Sequence, residues 1–258
     1  KLKAECDWNE DAEGIKKWLR RALIAASVFN KIIDCYSFSA VYLFNGRFAE
    51  SRSILKLCLF KGIRCITHER SGSMGKYLLY VDTYPHDIEY SKKNIIDCFK
   101  TENRTDNEKE KIATKWYQDR ISGSNDLGWE SFTRLQKTGL LGELPKDRIN
   151  VGVFISSQDE LETMPGWENP LYKTQEEGIM RILTDKRLSE KLLFYLRVHP
   201  ILSDKNNQQT DFYNQLKHPQ VRVISASSKV STYELIEKCE FILTFGSTVG
   251  IEAAYFGK

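Results

Sequence analysis

The sequence has little that could staple, chelate or span. Its six cysteines stand at 6, 35, 58, 65, 98 and 239, and no two are in C-x-x-C spacing. That argues against a zinc site or a disulfide framework. Four of the six lie among apolar residues and read as buried thiols of a reducing compartment. No stretch approaches the roughly 18 apolar residues of a spanning helix. The opening "KLKAECDWNEDAEG" is charged and lacks a signal-peptide core, so the reading is a soluble, cytoplasmic protein. A net charge of +3 on scattered basic residues gives no footprint for nucleic acid. There is no G-x-G-x-x-G, no Walker loop, no H-E-x-x-H and no D-x-D. No metal and no cofactor are therefore expected.

What is present is an ordinary globular chain of 258 residues, 41% hydrophobic and 28% charged, enough for two domains with real cores. Residues 15–33, "IKKWLRRALIAASVFNKII", have helical apolar spacing with Lys and Arg on the other face. They read as a packed helix with a solvated face or as a membrane-surface helix. "AVYLF" (40–44) and "IRCIT" (63–67) read as strands around a helix over 48–61 that ends at Gly62. Polar turns "NGR" and "HERSGSMGK" follow them, "YLLYVDT" adds a possible strand, and 86–121 is mostly helical. The stretch 121–148 mixes Gly, Ser, Pro and charge and marks a linker. The expected domains are 1–147 and 148–258. In the second, strands "NVGVFIS", "LLFYLRV", "VRVIS" and "FILTF" alternate strictly with helical segments. The fold class is α/β, with parallel sheets carrying helices on both faces.

In such sheets ligands sit beyond the carboxyl ends of the strands, and the polar residues cluster there. In "LTFGSTVGIEAAYFGK", Gly246 lets the chain turn closely into a helix. Ser247 or Thr248 can cap that helix or bond an anion, and Glu252 lies one turn on, facing a sugar hydroxyl or solvent. In "LRVHP", Arg197 and His199 share one side of a strand end and suit a phosphate or carboxylate. "THER" supplies His68, Glu69 and Arg70, with Glu69 either a general base or part of a solvated loop. Asn45 and Arg47 stand at the neighbouring strand end, and "TYPHD" adds His86 and Asp87, the latter also a natural helix cap.

Together "FNGR…THERSG", "VFISSQDE", "RVHP" and "LTFGSTVGIEAAYFGK" resemble the bacterial capsular or surface polysaccharide biosynthesis glycosyltransferases, from about residue 40 onward. An HP pair also marks bacterial sialyltransferases of similar fold. The resemblance implies a GT-B-like fold, two Rossmann-like domains across a cleft. The C-terminal one would take a nucleotide-sugar donor and the N-terminal one a glycan acceptor. Gly246, Ser247, Thr248, Arg197 and His199 would hold donor phosphate, and Glu252 the ribose. His68, Glu69 and His199 would be catalytic, with Asn45, Arg47 and Arg70 toward acceptor or sugar. Ser71 stands where the family pattern has Gly after "HER". The final segment that crosses back in this fold is also missing, so a fragment is expected. Peripheral membrane association fits such an enzyme. A sugar-nucleotide epimerase, or a non-catalytic subunit of capsule assembly, are the alternatives.

Overall fold

A computed structural model describes residues 11–71, 75–124, 132–158, 161, 164, 166–188, 190–205 and 207–258. Two compact units result. The first takes the described residues up to 103; the second takes 104–124 and those from 132 onward. Residues 104–124 and 132–147 thus go with the second unit, and the boundary does not fall at the expected 147/148.

The first unit opens with α1 (Ala12–Cys35), which lies along α2 (Ala49–Lys61). Gly62, at φ +69, closes α2 in the left-handed conformation that glycine adopts without penalty. Strands β1 (Val41–Phe44), β2 (Cys65–Arg70) and β3 (Tyr77–Val81) form a sheet in that order. β1 and β2 are parallel; β2 and β3 are antiparallel. One face of this sheet is packed: Leu55 and Cys58 of α2 meet Cys65, with Phe29, Val41 and Leu43 around them. α3 (Ile88–Thr101) follows, capped by Asp87, whose side chain accepts from the Tyr90 amide.

Two expectations are corrected here. "HER" is strand, not turn: Ile66 to Arg70 pair with Val81 to Tyr77, which gives these polar residues backbone partners. The first sheet is therefore mixed, and strict parallel alternation belongs to the second unit alone.

The second unit begins with α4 (Asp106–Ile121), started by a capping box between Thr105 and Glu108. Four strands follow, β4 (Ile149–Phe154), β5 (Leu192–Arg197), β6 (Val221–Ile224) and β7 (Phe241–Thr244), all parallel in the order β6-β5-β4-β7. α5 (Gln175–Thr184), α6 (Gln208–Gln215) and α7 (Thr232–Lys238) begin on side-chain caps from Thr174, Asn207 and Ser231. α8 (Val249–Tyr255) follows β7. Both sheet faces are filled. Val151, Val153, Phe194 and Leu196 pack with Ile179 of α5 and Tyr213 of α6 on one side. Phe154, Leu193 and Tyr195 pack with Leu235 and Ile236 of α7 and Ala253 of α8 on the other. Because β5 and β7 flank β4 on opposite sides, the connections diverge between β4 and β7, where open sheets of this kind hold ligands.

The thiols are less uniform than expected. Cys58, Cys65 and Cys239 are buried, Cys35 and Cys98 are exposed, and Cys6 lies outside the described residues. Burial pushes the Cys65 and Cys239 thiols up to about 12, which makes them inert packing groups.

Candidate functional site

In the first unit the polar cluster sits where β1 and β2 end. Asn45 and Gly46 have φ of +62 and +79, which turns the chain sharply after β1. Asn45 is 2% exposed and its amide donates to the Glu69 carboxylate. Its carbonyl oxygen accepts from the Arg47 backbone amide at 3.0 Å and from Arg47 Nε at 3.2 Å. Arg47 also lies 3.9 Å from Glu69, so amide, guanidinium and carboxylate form one connected group. His86, itself at φ +68, stands close by: burial, then the Arg47 charge, lower its pKa against the pull of Glu69. Three of the six basic or acidic groups expected here, His68, Arg70 and Asp87, are not brought into this cluster. Alternation along β2 turns His68 and Arg70 to the face opposite Glu69. His68 packs against the rings of Phe44 and Tyr77, with centroids 5.6 and 5.9 Å away, and Arg70 is exposed. Asp87 is the plain helix cap.

In the second unit the carboxyl end of β4 is held rigidly. Gln175, 3% exposed, accepts from the Ser156 amide at 2.8 Å and donates back to the Ser156 carbonyl at 2.9 Å. Gln209 donates to the same carbonyl at 3.1 Å. Ser157 is fully buried, and its hydroxyl accepts from Lys205 Nζ at 3.1 Å. Asp159 and Glu160 of the "SSQDE" cluster lie outside the described residues.

Beside it, β5 ends on Arg197, which is 3% exposed. Its guanidinium donates to the carbonyls of Ser225 at 3.3 Å and Ser228 at 2.9 Å, just beyond β6. Its Nε has no partner, and no described carboxylate pairs with it. Burial alone pulls its pKa down to about 10, so at neutral pH it is still a cation. His199 follows at the start of a 3-10 turn over Pro200–Leu202. Its Nδ1 accepts from the Ile201 amide at 3.2 Å, which leaves Nε2 to carry the proton. Burial, then the charges of Arg197 and Lys205, push His199 down to about 4. It is thus a neutral hydrogen-bond donor at pH 7, not a second cation. His199 lies within electrostatic reach of Arg197, whose charge helps to lower the His199 pKa.

After β7, Gly246 takes φ +71 and Thr248 occupies the N-cap position of α8 without a side-chain cap bond. The Ser247 hydroxyl accepts from the Val249 amide at 3.3 Å instead. Thr248 is exposed, its hydroxyl without a described partner.

Glu252 is neither at a ligand's edge nor solvated. It is 2% exposed, and its Oε1 accepts from Arg120 Nε at 3.0 Å and Nη2 at 2.7 Å. The helices that carry the two charges also touch through Tyr117 and Tyr255, stacked at 4.1 Å. Tyr233 lies beside the pair; burial, then the Glu252 charge, raise its phenol, and its hydroxyl makes no well-formed hydrogen bond. The carboxylate is thus committed to holding α8 against α4.

Four residues that sequence reasoning missed shape this unit: Arg120, Gln175, Lys205 and Gln209. Each acts on a partner at least 19 residues distant, so no local pattern announces them. Among the described residues, no group of three or more His, Cys, Asp or Glu converges as a metal site would. No protein-family model matches the chain, and no curated protein is significantly similar to it.

Proposed function

We propose that this protein is a metal-independent glycosyltransferase that moves a sugar from a nucleotide-activated donor to a surface or capsular polysaccharide, working in the cytoplasm. The observation that carries the reading is Arg197, a buried cation without a carboxylate at the end of a central parallel strand. An uncompensated buried charge costs several kcal/mol, on the order of 3–5. An anionic ligand such as a donor diphosphate would offset that cost. His199 Nε2–H and the exposed Thr248 hydroxyl supply neutral donors close to the same strand ends. When the glycosidic bond to the donor breaks, negative charge collects on the departing phosphate, and preorganised donors stabilise it as it forms.

On this reading both units are Rossmann-like, the first altered by its antiparallel β3. Glu69, held in place by Asn45 and Arg47, is the candidate base for the acceptor hydroxyl. Glu252 keeps α8 in place and leaves the ribose to other groups.

The test is calorimetric titration of UDP, GDP, CDP and CMP, followed by nucleotide-release assays with the preferred sugar nucleotide. One nucleotide should bind, and His199→Ala and Thr248→Val should each weaken it roughly tenfold, the worth of one good hydrogen bond to a charged group. Binding equal to wild type in both variants, or none of the four nucleotides bound, would overturn the assignment. Conversion of the sugar nucleotide with no acceptor present would point to an epimerase instead.

A further inference from the structure

We propose that the outer face of α1 docks on an anionic membrane surface. A helix that packs on one side should be polar on the other. α1 turns Ile15, Ala22, Ala25, Phe29 and Ile33 inward, all partly covered, in the layer that contains α2. The flanks of the outward side nevertheless carry Leu19 and Leu23 on one edge and Ile24 and Val28 on the other, each between 53% and 59% exposed. The exposed side of this helix is therefore mixed: a row of cations with an apolar flank on either side.

The charges decide what covers that face. α1 holds Lys16, Lys17, Arg20, Arg21 and Lys31 against Glu13 and Asp34. Lys16 is paired with Glu13 and Arg21 with Glu50, whereas Lys17, Arg20 and Lys31 have no carboxylate partner among the described residues. By helical spacing Arg20 and Lys31 lie between Leu23 and Ile24, and Lys17 lies between Ile24 and Val28. A second copy of the chain would set cation against cation and bury them unpaired. A phospholipid surface does the reverse. Acidic head groups meet the Lys and Arg tips, while the aliphatic side chains and the stems of the cations enter the acyl boundary. The helix would lie flat, since no described helix is long and apolar enough to cross a membrane. This inference rests on α1 alone and is independent of the glycosyltransferase reading.

The experiment is flotation of the whole protein with vesicles of phosphatidylcholine, alone or mixed with phosphatidylglycerol. The protein should rise with the mixed vesicles only, and added salt should release it. Lys17→Ser and Arg20→Ser should each lower partitioning about fivefold. Leu19→Ser with Leu23→Ser should abolish it. All four side chains are exposed, so circular dichroism should show an unchanged fold; if the leucine pair disturbs it, the two cation variants still test the proposal. Failure to float with mixed vesicles would overturn it, as would equal flotation with both kinds. Self-association that the leucine variants abolish, without vesicle binding, would overturn it too and assign the face to a second copy.

Discussion

The two sheets of this protein have opposite economies of surface. The four-stranded parallel sheet is covered on both faces, by α5 and α6 on one and α7 and α8 on the other. The three-stranded mixed sheet is covered on one. Its other face presents Tyr42, Phe44, Tyr77 and Leu79, each more than half exposed. In the second unit the burial problem is the reverse: polar and charged groups, Arg197, Gln175, Gln209 and Glu252, are all at least nine-tenths buried. Most of them are satisfied by a specific partner, and Arg197 only in part. The first sheet thus leaves one apolar face to water, while the second unit takes charged side chains out of it. The second pattern tolerates change poorly, because a buried polar group that loses its partner keeps the whole cost of its desolvation.

Three measurements would sharpen or break that comparison. The largest effect is expected at the ion pair. Arg120→Ala leaves Glu252 buried and uncompensated, and unfolding in urea should show a loss of about 3–5 kcal/mol. A loss under about 1 kcal/mol would mean that the pair behaves as a surface bridge. Next comes pH. The folded pKa of His199 is about 4, below the ordinary 6.5. The unfolded chain therefore takes up a proton that the folded one refuses. Stability should be full above pH 6.5 and fall as the pH drops from 6.5 toward 4, by about 3 kcal/mol in total from this group. The difference between wild type and His199→Gln across that window isolates it. A bound phosphate should shrink the loss by favouring the imidazolium. The smallest effect belongs to the open sheet face. Tyr42→Thr removes a ring that is 66% exposed and puts a β-branched residue in its place in the strand. Unfolding in urea should show a stability change of no more than about 0.5 kcal/mol. A clear loss would show that this face is covered in solution.

How far the sequence could be read follows the same division. Every strand and helix of the parallel sheet was legible, since doubly buried strands are plain apolar runs and the helices between them begin on Thr, Asn and Ser caps. Arg197 and His199 were legible as a pair because they alternate with Val198 at the end of an apolar run, ahead of Pro200. "HER" was read as a turn because polarity usually marks one, and only the β3 partner turns it into strand. The Asn45–Glu69–Arg47 group was half legible: its strand ends were visible, but strand alternation, which removes His68 and Arg70, needed β2 to be longer. Glu252 was misassigned because its partner is 132 residues away, and helix spacing reveals only what lies within a turn or two.

The order β6-β5-β4-β7 also sets a timetable for synthesis. β4 is the first strand of its sheet to be made, and its neighbour on one side, β7, is the last. Between Phe154 and Phe241 the ribosome must add the whole of β5, β6 and their helices, roughly 4 to 17 seconds of work at ordinary rates. For that interval the apolar strand "INVGVF" keeps one row of amides and carbonyls unpaired. A nascent chain in this condition is a template for other strands. Slow codons between β4 and β7 should therefore raise aggregation, and a chaperone that shields strand edges should relieve it.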